Sequence, residues 1–424
     1  MTGREPAGAR RRGVRTEPAR ASLRIVHPPE ERRTRKDDDA LQNRRSLFLL
    51  LVPAAALTVV GLVMVLSAGS ISAIEGYGTS FWYFERQSIY AVVGLVGLVV
   101  AMRLPYTVWK RFATPMLVAV VPLMLLTFHS STGTSLYGAS RWIDVGPVTV
   151  QPSEFAKIAL IAFTAGVLAA KRERIGNIRD VLLPLAPVVM IIAGIVILQR
   201  DLGTALILCG SVFLLLFAAG VRLRHLAVIG ASGLLATALL IFGEAYRRTR
   251  FLESFVHPWT DPKGAGYQLV QGLIALGSGG WFGVGLGASR QKWGLPNAHS
   301  DFIFAIIGEE LGLLGALVVL LLFAFLLYAG IRIAVRAPTT FGRLLASGIT
   351  SWIALQTVIN LGAVTGLLPI TGVPLPLVSF GGTALVVTLT GIGILANLAG
   401  AGVTPGGRKP ASRPGASPAR KAKA

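Results

Sequence analysis

Long apolar runs recur along this chain, and they constrain its fold more than any other feature. A helix needs about 20 apolar residues to cross the hydrocarbon core of a membrane. Ten runs approach or exceed that length, at 46–68, 87–104, 113–129, 154–170, 182–198, 203–220, 224–243, 303–331, 345–366 and 382–402. Backbone polar groups inside a bilayer must be paired within the chain, which favours helices. The sequence therefore predicts an all-α polytopic membrane protein with about ten transmembrane helices.

The composition agrees with a membrane protein. Of 424 residues, 53% are hydrophobic and only 14% are charged, and the mean hydropathy is +0.64. A soluble domain typically has about 25% charged residues. The single cysteine, Cys209, lies inside an apolar run, so a disulfide framework is excluded.

The two ends of the chain are strongly basic. The net charge is +21, and residues 1–45 and 403–424 are rich in Lys and Arg together with Pro, Gly and Ala. Such segments bury too little apolar surface to fold and are typical of disordered tails. Beside a membrane, their charge is attracted to anionic lipids. We therefore expect a transmembrane domain over 46–402 between two basic tails that meet membrane lipids and no nucleic acid.

Basic residues in the short loops predict the orientation. Lys and Arg occupy every second loop, at Arg103, Lys110 and Arg111, at Lys171, Arg172, Arg174 and Arg179, at Arg222 and Arg224, and at Arg332, Arg336 and Arg343. Loops of this kind face the cytoplasm, which places both termini there. The opposite side then holds two long polar loops, 130–153 and, between helices 7 and 8, 244–300. Connections of the second length are generally functional or disordered.

A polar segment leads directly into the eighth predicted helix. It reads Pro-Asn-Ala-His-Ser-Asp over 296–301. Ser300 or Asp301 could cap the helix by accepting hydrogen bonds from its first N–H groups. A carboxylate at the membrane boundary could also serve as a general base, and the two roles are compatible. Glu309 and Glu310 lie deeper, where a carboxylate must be paired or protonated, and structural ion pairs are expected.

A second polar segment precedes the fourth predicted helix. Ser153 is placed to cap this helix, and Glu154 falls in its first turn. Lys157 either pairs with Glu154 on one helix face or presents a cation to a central cavity. Arg141 and Trp142 lie upstream in the same loop, and the tryptophan is a candidate anchor at the membrane interface.

The long loop contains an arginine cluster and a glycine-rich stretch. Arg247, Arg248 and Arg250 lie on the side predicted to be poor in basic charge, and a phosphate is the natural partner of such side chains. The glycines over 277–287 lack the Lys-Ser/Thr ending of a nucleotide-binding loop. They instead indicate close backbone approach or a re-entrant bend. Two prolines and a Gly pair within 372–382 predict irregular backbone at the membrane edge.

Four stretches in this order resemble the SEDS family of cell-wall polymerases, with the FtsW branch closer than the RodA branch. They are GASRWIDVGPVTVQPSEFAKIAL, GYQLVQGLIALGSGGWFGVGLGASRQKW, AHSDFIFAIIGEELG and TGVPLPLVSFGGTALV. The resemblance covers roughly residues 46–400, and the SRQK segment is what favours FtsW. The chain departs from the family pattern before Asp201, where a proline is common; this affects only the expected shape of that loop.

The resemblance implies an activity and assigns site residues. It implies inverting peptidoglycan glycosyltransfer from lipid II, with the essential acid of the family at Asp301. The motif arginine and the fourth-helix lysine of the family fall on Arg141 and Lys157, and Trp142 matches a tryptophan associated with activity. The further candidate substrate-binding residues are Arg247, Arg248, Arg250, His299, Ser300 and Ser379.

The resemblance also implies partners and a location. An FtsI-type class B penicillin-binding protein and other divisome proteins are the expected partners, in the plasma membrane at the division septum. The histidines are scattered, and His299 alone does not make a metal site. A divalent cation, Mg²⁺ or Mn²⁺, is expected to come with the substrate pyrophosphate rather than in a protein cage.

Other functions fit the same residues. A lipid II flippase would use the same cations to hold a headgroup during passage. A scaffold would use its spans only to recruit a transpeptidase, although it has no need of ionisable groups at membrane depth. Within the family, a RodA-type polymerase of cell elongation is the alternative.

Overall fold

The computed structural model of this protein describes residues 29–129, 133–136, 139–146, 148–243 and 245–401. The helices are α1 Pro29–Tyr77, α2 Trp82–Arg103, α3 Thr107–Leu126, α4 Pro152–Ala170, α5 Ile178–Leu198, α6 Leu202–Ala218, α7 Leu223–Phe242, α8 Ala245–Phe251, α9 Tyr267–Ser278, α10 Ile303–Arg336, α11 Thr340–Val364 and α12 Gly382–Ala401. The strands are β1 Gly133–Leu136, β2 Ala139–Val145 and β3 Val148–Val150. Short 3-10 or π turns lie at Arg172–Arg174, Leu252–Val256 and Gln291–Trp293.

The prediction of about ten membrane-spanning helices is confirmed. In the described part of the chain, nine helices are long and apolar enough to cross a membrane, and α6 is an apolar helix of 17 residues. Each of the ten predicted runs falls on one of these helices. The predicted orientation of the two termini is a separate matter and stays a prediction.

The first helix begins earlier than predicted. It starts at Pro29, so that residues 29–45, predicted as part of the tail, are helical in the structure. Five of these residues are Arg and two are Glu, which are favourable in helices, and the stretch continues without a break into the apolar run. The remainder of the predicted tails, 1–28 and 402–424, lies outside the described residues.

Three helices form the centre of the bundle. In their most apolar windows, α4, α11 and α12 bury 67%, 61% and 72% of their residues, whereas α7 buries 6%. Around this centre, α2 packs along α12, α1 along α10, and α4 and α6 along α11. The most buried helices therefore carry the residues that hold the bundle together, and α7 lies at its edge.

A small antiparallel sheet interrupts the all-α architecture, and the sequence did not predict it. The strands run in the order β1-β2-β3 within the loop 130–153, which was predicted only to be long and polar. Tyr90 of α2 fixes the sheet to the bundle, because its hydroxyl accepts from Thr149 N at 2.9 Å and donates to Thr149 O at 3.0 Å. β1 and β3, of four and three residues, are too short to give a clear alternating pattern. The seven residues of β2, ASRWIDV, do not alternate strictly.

Helix α10 is broken at Gly312, which has φ 68° and ψ −169°. The glycine-rich segment 279–285 takes over the backbone groups that the break leaves free. Val284 N and Gly285 N donate to the carbonyls of Glu309 and Glu310, and Leu313 N and Leu314 N donate to Gly280 O and Trp281 O, at 2.9 to 3.2 Å. A break at membrane depth is tolerated where protein satisfies the backbone in this way. The expected close backbone approach of these glycines is therefore present.

Of the two glutamates next to the break, Glu310 has the expected ion pair, whereas Glu309 is held by hydrogen bonds. The Glu310 carboxylate accepts from Ser67 Oγ at 2.6 Å and lies 3.9 Å from Lys292 Nζ. Glu309 accepts from Ser289 Oγ at 2.6 Å and from Arg290 N at 2.8 Å. Both carboxylates thus join the long loop to α10, and Glu310 also joins α1.

Candidate active site

Asp301 lies at the end of the bundle where the sheet and the long loop meet the helices. It immediately precedes the N-cap of α10, which is Phe302 and has no capping side chain. The prediction that Ser300 or Asp301 occupies the cap position is therefore wrong by one or two residues. The side chain of Asp301 is partly exposed. A Cβ placed on Gly372 would lie 3.6 Å from Asp301 Oδ2, so the carboxylate faces the irregular segment that precedes α12.

Asn360 of α11 connects the two segments on either side of this carboxylate. Its Nδ2 donates to Asp301 O and to Val373 O, each at 2.8 Å. The side chain is 2% exposed. The sequence does not indicate this residue, because a polar side chain within an apolar run does not reveal its distant partner.

Ser379 and Ser300 hold the same two segments together. The Ser379 hydroxyl donates to Ser300 O at 2.6 Å and accepts from Leu375 N at 2.8 Å. The Ser300 hydroxyl donates to Asn297 O at 3.3 Å. Ser379 was predicted to bind substrate, but its hydroxyl is used within the protein and its side chain is 3% exposed. In the structure this hydroxyl ties the two segments together, and its contact with substrate stays a prediction.

His299 belongs to an aromatic cluster. Its ring stacks on Tyr83 with centroids 4.0 Å apart and meets Phe380 edge-on at 5.6 Å. Burial lowers the pKa of His299 from 6.5 to about 4, because the charged imidazolium is disfavoured away from water. The side chain is therefore neutral at physiological pH. Its predicted contact with substrate would therefore be made by an uncharged ring, and it stays a prediction.

Lys157 is buried in the bundle and fully paired. Its Nζ lies 2.8 Å from Glu154 Oε1 and donates to Gln356 Oε1 at 3.0 Å, and it lies 5.2 Å from the centre of the Trp352 ring. Of the two interpretations of Lys157, the pair within one helix is the one that the structure contains. Ser153, predicted as the cap of this helix, is not in the cap position. That position is Gln151, and Pro152 is the first helical residue, as is common for proline.

Arg141 on β2 is also paired. Its guanidinium lies 3.6 Å from Asp201 Oδ2 and donates to the carbonyls of Gln199 and Arg200. Asp201 is the N-cap of α6 and accepts from Thr204 N at 3.0 Å. This pair links the sheet to the bundle over 60 positions of sequence. No local sequence pattern indicates such a contact. Trp142 is partly exposed beside Arg141.

The arginine cluster lies on the short helix α8. Arg248 is exposed. The side chains of Arg247 and Arg250 lie outside the described part of the structure. Among the predicted cations with a described side chain, Arg248 is therefore the one that is open to solvent, and Arg141 and Lys157 already have carboxylate partners.

Several buried polar atoms near these residues lack a hydrogen-bond partner among the described residues. They are Ser153 Oγ, Glu154 Oε2, Asn360 Oδ1 and Thr371 Oγ1. Buried polar atoms nearly always find a partner in the protein, in water or in a ligand. Thr371 adjoins Gly372, which faces the Asp301 carboxylate, and Asn360 Nδ2 donates to Asp301 O. Two of the four atoms therefore belong to residues next to Asp301 or to its neighbouring segment.

Within the described residues, no three His, Cys, Asp or Glu side chains are grouped to hold a metal ion. A divalent cation such as Mg²⁺ is usually bound by one or two carboxylates together with substrate phosphates. Asp301 would supply one carboxylate ligand of such a cation. A divalent cation that arrives with the substrate pyrophosphate stays a prediction.

The fold and the site define a class of protein: a multi-pass membrane protein with an acid at the start of a broken helix, enclosed by a polar loop cluster. The chain belongs to the FtsW/RodA/SpoVE family of cell cycle proteins, whose profile matches residues 47–401. It is 42% identical over 346 residues to the probable peptidoglycan glycosyltransferase FtsW of Geobacter metallireducens, covering 81% of this chain and 92% of that protein. Its identity to stage V sporulation protein E of Bacillus subtilis is 40%, with coverage of 81% and 93%.

Two solved structures share the fold. One is a chain of a peptidoglycan synthase complex that coordinates polymerization and crosslinking, at 30% identity and a TM-score of 0.69, covering 83% of this chain and 97% of that chain. The other is the rod shape determining protein RodA of Thermus thermophilus, at 30% identity and a TM-score of 0.62, with coverage of 83% and 96%. The family predicted from the four sequence stretches is thereby confirmed.

Proposed function

We propose that this protein polymerises lipid II into glycan strands and that Asp301 is the general base of the reaction. Family membership, together with relatives named as peptidoglycan glycosyltransferases, makes the chain a peptidoglycan glycosyltransferase. The assignment of Asp301 rests on one observation above all. Asp301 is partly exposed, and the adjoining residues Asn360 and Thr371 each carry a buried oxygen, Oδ1 and Oγ1, that has no hydrogen-bond partner among the described residues.

The chemistry needs a proton acceptor and a neutralised leaving group. In the proposed step, Asp301 takes the proton of the acceptor sugar 4-hydroxyl while that oxygen attacks the anomeric carbon of the donor. The new C–O bond forms as the bond to the lipid pyrophosphate breaks, and the pyrophosphate leaves with the electron pair and with inversion. A positioned base contributes about 10²–10⁴-fold to such a step.

The pyrophosphate charge needs cations that are in place before the reaction. Arg248 is exposed on α8 and can meet a phosphate directly. Arg141 and Lys157 are held by Asp201 and Glu154, so their main effect in this geometry is to fix the sheet and α4 around the site. Each would reach substrate only by leaving its carboxylate, which is costly for a buried pair.

The test is polymerisation of lipid II by the purified full-length protein together with its penicillin-binding partner. Asp301→Asn removes the base with little change in shape, and glycan strands on a gel should fall by at least about 100-fold. Glu253→Gln is the matched control, because Glu253 is an exposed acid of the same loop and loses the same charge; it should polymerise normally. Full activity of folded Asp301→Asn would refute the base assignment.

The same assay separates the other functions. A flippase would move lipid II in vesicles without Asp301 and would form no glycan in detergent. A scaffold would do neither, and its partner alone would account for all the product. Strands that form only with the intact carboxylate support the polymerase.

The division role and the surroundings are part of the same proposal. Identity to the FtsW of Geobacter metallireducens is 42%, and identity to the solved RodA is 30%, which favours septal over elongation synthesis. We place the chain in the plasma membrane at the septum, with both termini in the cytoplasm and Asp301 outside. The solved peptidoglycan synthase complex supports an FtsI-type penicillin-binding protein as partner, alongside other divisome proteins.

A further inference from the structure

A deep groove opens at the end of the bundle opposite Asp301. Its volume is about 730 Å³, within the usual range of ligand pockets. Helices α6 and α10 both pack on α11, and the groove lies between them with α11 as its floor. Its apolar walls include Leu214, Phe217, Leu327, Ile331 and Leu344.

Two arginines converge at the mouth of this groove. Arg172 Nη1 and Arg343 Nη2 each lie 3.5 Å from the same atom, Thr340 Oγ1. Both side chains are exposed, and the ion pairs found among the described residues include neither of them. Two guanidinium groups around one hydroxyl repel each other, and a phosphate between them would remove that repulsion and accept from both.

The length of the groove matches one leaflet of a bilayer. Along α11 the lining residues extend from Thr340 to Ala354, which is about 21 Å at the rise of an α-helix. The hydrocarbon of one leaflet is about 15 Å deep. The groove therefore runs from the level of the headgroups, where the arginines lie, to the middle of the membrane.

We propose that this groove binds an anionic phospholipid, with its phosphate between Arg172 and Arg343 and one acyl chain between α6 and α10. The charge at the mouth favours a lipid over a helix of another protein. Every anionic phospholipid carries its phosphate at that depth, whereas a helix would need an acidic residue at one particular turn. This site is separate from glycosyl transfer, and its failure would leave the proposed function untouched.

Native mass spectrometry of the full-length protein in mild detergent tests the proposal. The probes are phosphatidylglycerol and, as the zwitterionic reference, phosphatidylethanolamine with the same acyl chains. Wild-type protein should retain phosphatidylglycerol in preference. Arg172→Gln/Arg343→Gln should lower its affinity by about tenfold or more, since each basic group near the surface contributes about 1 kcal/mol.

Two further variants separate a built site from general attraction. Arg103→Gln/Arg111→Gln removes two exposed basic residues from the same end of the bundle outside the groove, and binding should change by less than about twofold. Ser347→Phe fills the groove and keeps both arginines, and it should also lose the lipid. Equal losses in the two arginine pairs, unchanged binding in Ser347→Phe, or no preference for phosphatidylglycerol in wild type would each overturn the proposal.

Discussion

Asn360 is the residue on which the geometry around Asp301 most depends. One amide group holds the backbone carbonyls of Asp301 and Val373, both at 2.8 Å. Removing it leaves two carbonyls without their donor, at a cost of about 1–3 kcal/mol for each buried group. We expect Asn360→Ala to lower kcat for lipid II polymerisation by about tenfold or more with little change in KM. A small displacement of the general base lowers the rate of the chemical step more than it lowers the affinity for substrate.

Asn397 provides a matched control for this prediction. It also bridges two backbone groups, since its Nδ2 donates to Met102 O and its Oδ1 accepts from Tyr106 N, but it does so at the other end of the bundle. Asn397→Ala should lower the apparent Tm by a similar amount and leave kcat nearly unchanged. If both variants lose activity in proportion to Tm, Asn360 is merely structural.

The sequence predicted single residues well where the interacting partners are close in the chain. The pair of Glu154 and Lys157 follows from their spacing on one helix, and the structure contains it. Arg141 and Asp201 lie 60 positions apart, and nothing in either local sequence indicates the other. The same is true of Asn360 and Asp301. Long-range polar contacts depend on the packing of helices, which hydropathy does not encode.

At the scale of elements, the break in α10 depends on a glycine in the neighbouring loop. Gly283 has φ +80°, and a Cβ on it would lie 2.1 Å from Glu310 O. Gly283→Ala should therefore push the loop off α10 and weaken the hydrogen bonds that cover the break. We expect a loss of stability of about 2–4 kcal/mol, seen as a lower apparent Tm in detergent, because strain and lost hydrogen bonds act together.

Gly287 isolates the contribution of the close contact. Its φ is +79°, yet a Cβ there would meet no atom within 4 Å. Gly287→Ala should cost only the conformational strain, roughly 1 kcal/mol. An equal fall in Tm for both variants would show that backbone conformation, not contact with α10, makes glycine necessary at 283.

The elements themselves were predicted to different degrees. The spans follow from the apolar runs because the bilayer dictates both their length and their helical form. The break at Gly312 could not be predicted from the apolar runs, since a single glycine inside such a run lowers the stability of a helix only modestly. Its partner, the segment 279–285, was recognised as a close-approach loop without any sign of what it approaches. The three short strands were hidden within a loop predicted only to be polar.

At the scale of the whole molecule, the position of Asp301 relative to the membrane is the condition for the proposed function. The basic loops predict that the end of the bundle carrying Arg174 is cytoplasmic, so the long loop with Glu253 should be outside. Cys209 is the single cysteine of the chain, and Cys209→Ser therefore gives a cysteine-free background. Glu253→Cys and Arg174→Cys then place one thiol at an exposed position on each side.

A membrane-impermeant maleimide applied to intact spheroplasts reads out the orientation. Glu253→Cys should react at once, and Arg174→Cys should react only after the membrane is permeabilised, while the cysteine-free protein stays unlabelled. The physical reason is the retention of Lys and Arg loops on the cytoplasmic side during insertion. The reverse pattern would place Asp301 in the cytoplasm, away from the outer surface where glycan strands are assembled. It would refute the polymerase while leaving the helices, the broken α10 and the lipid groove as they are.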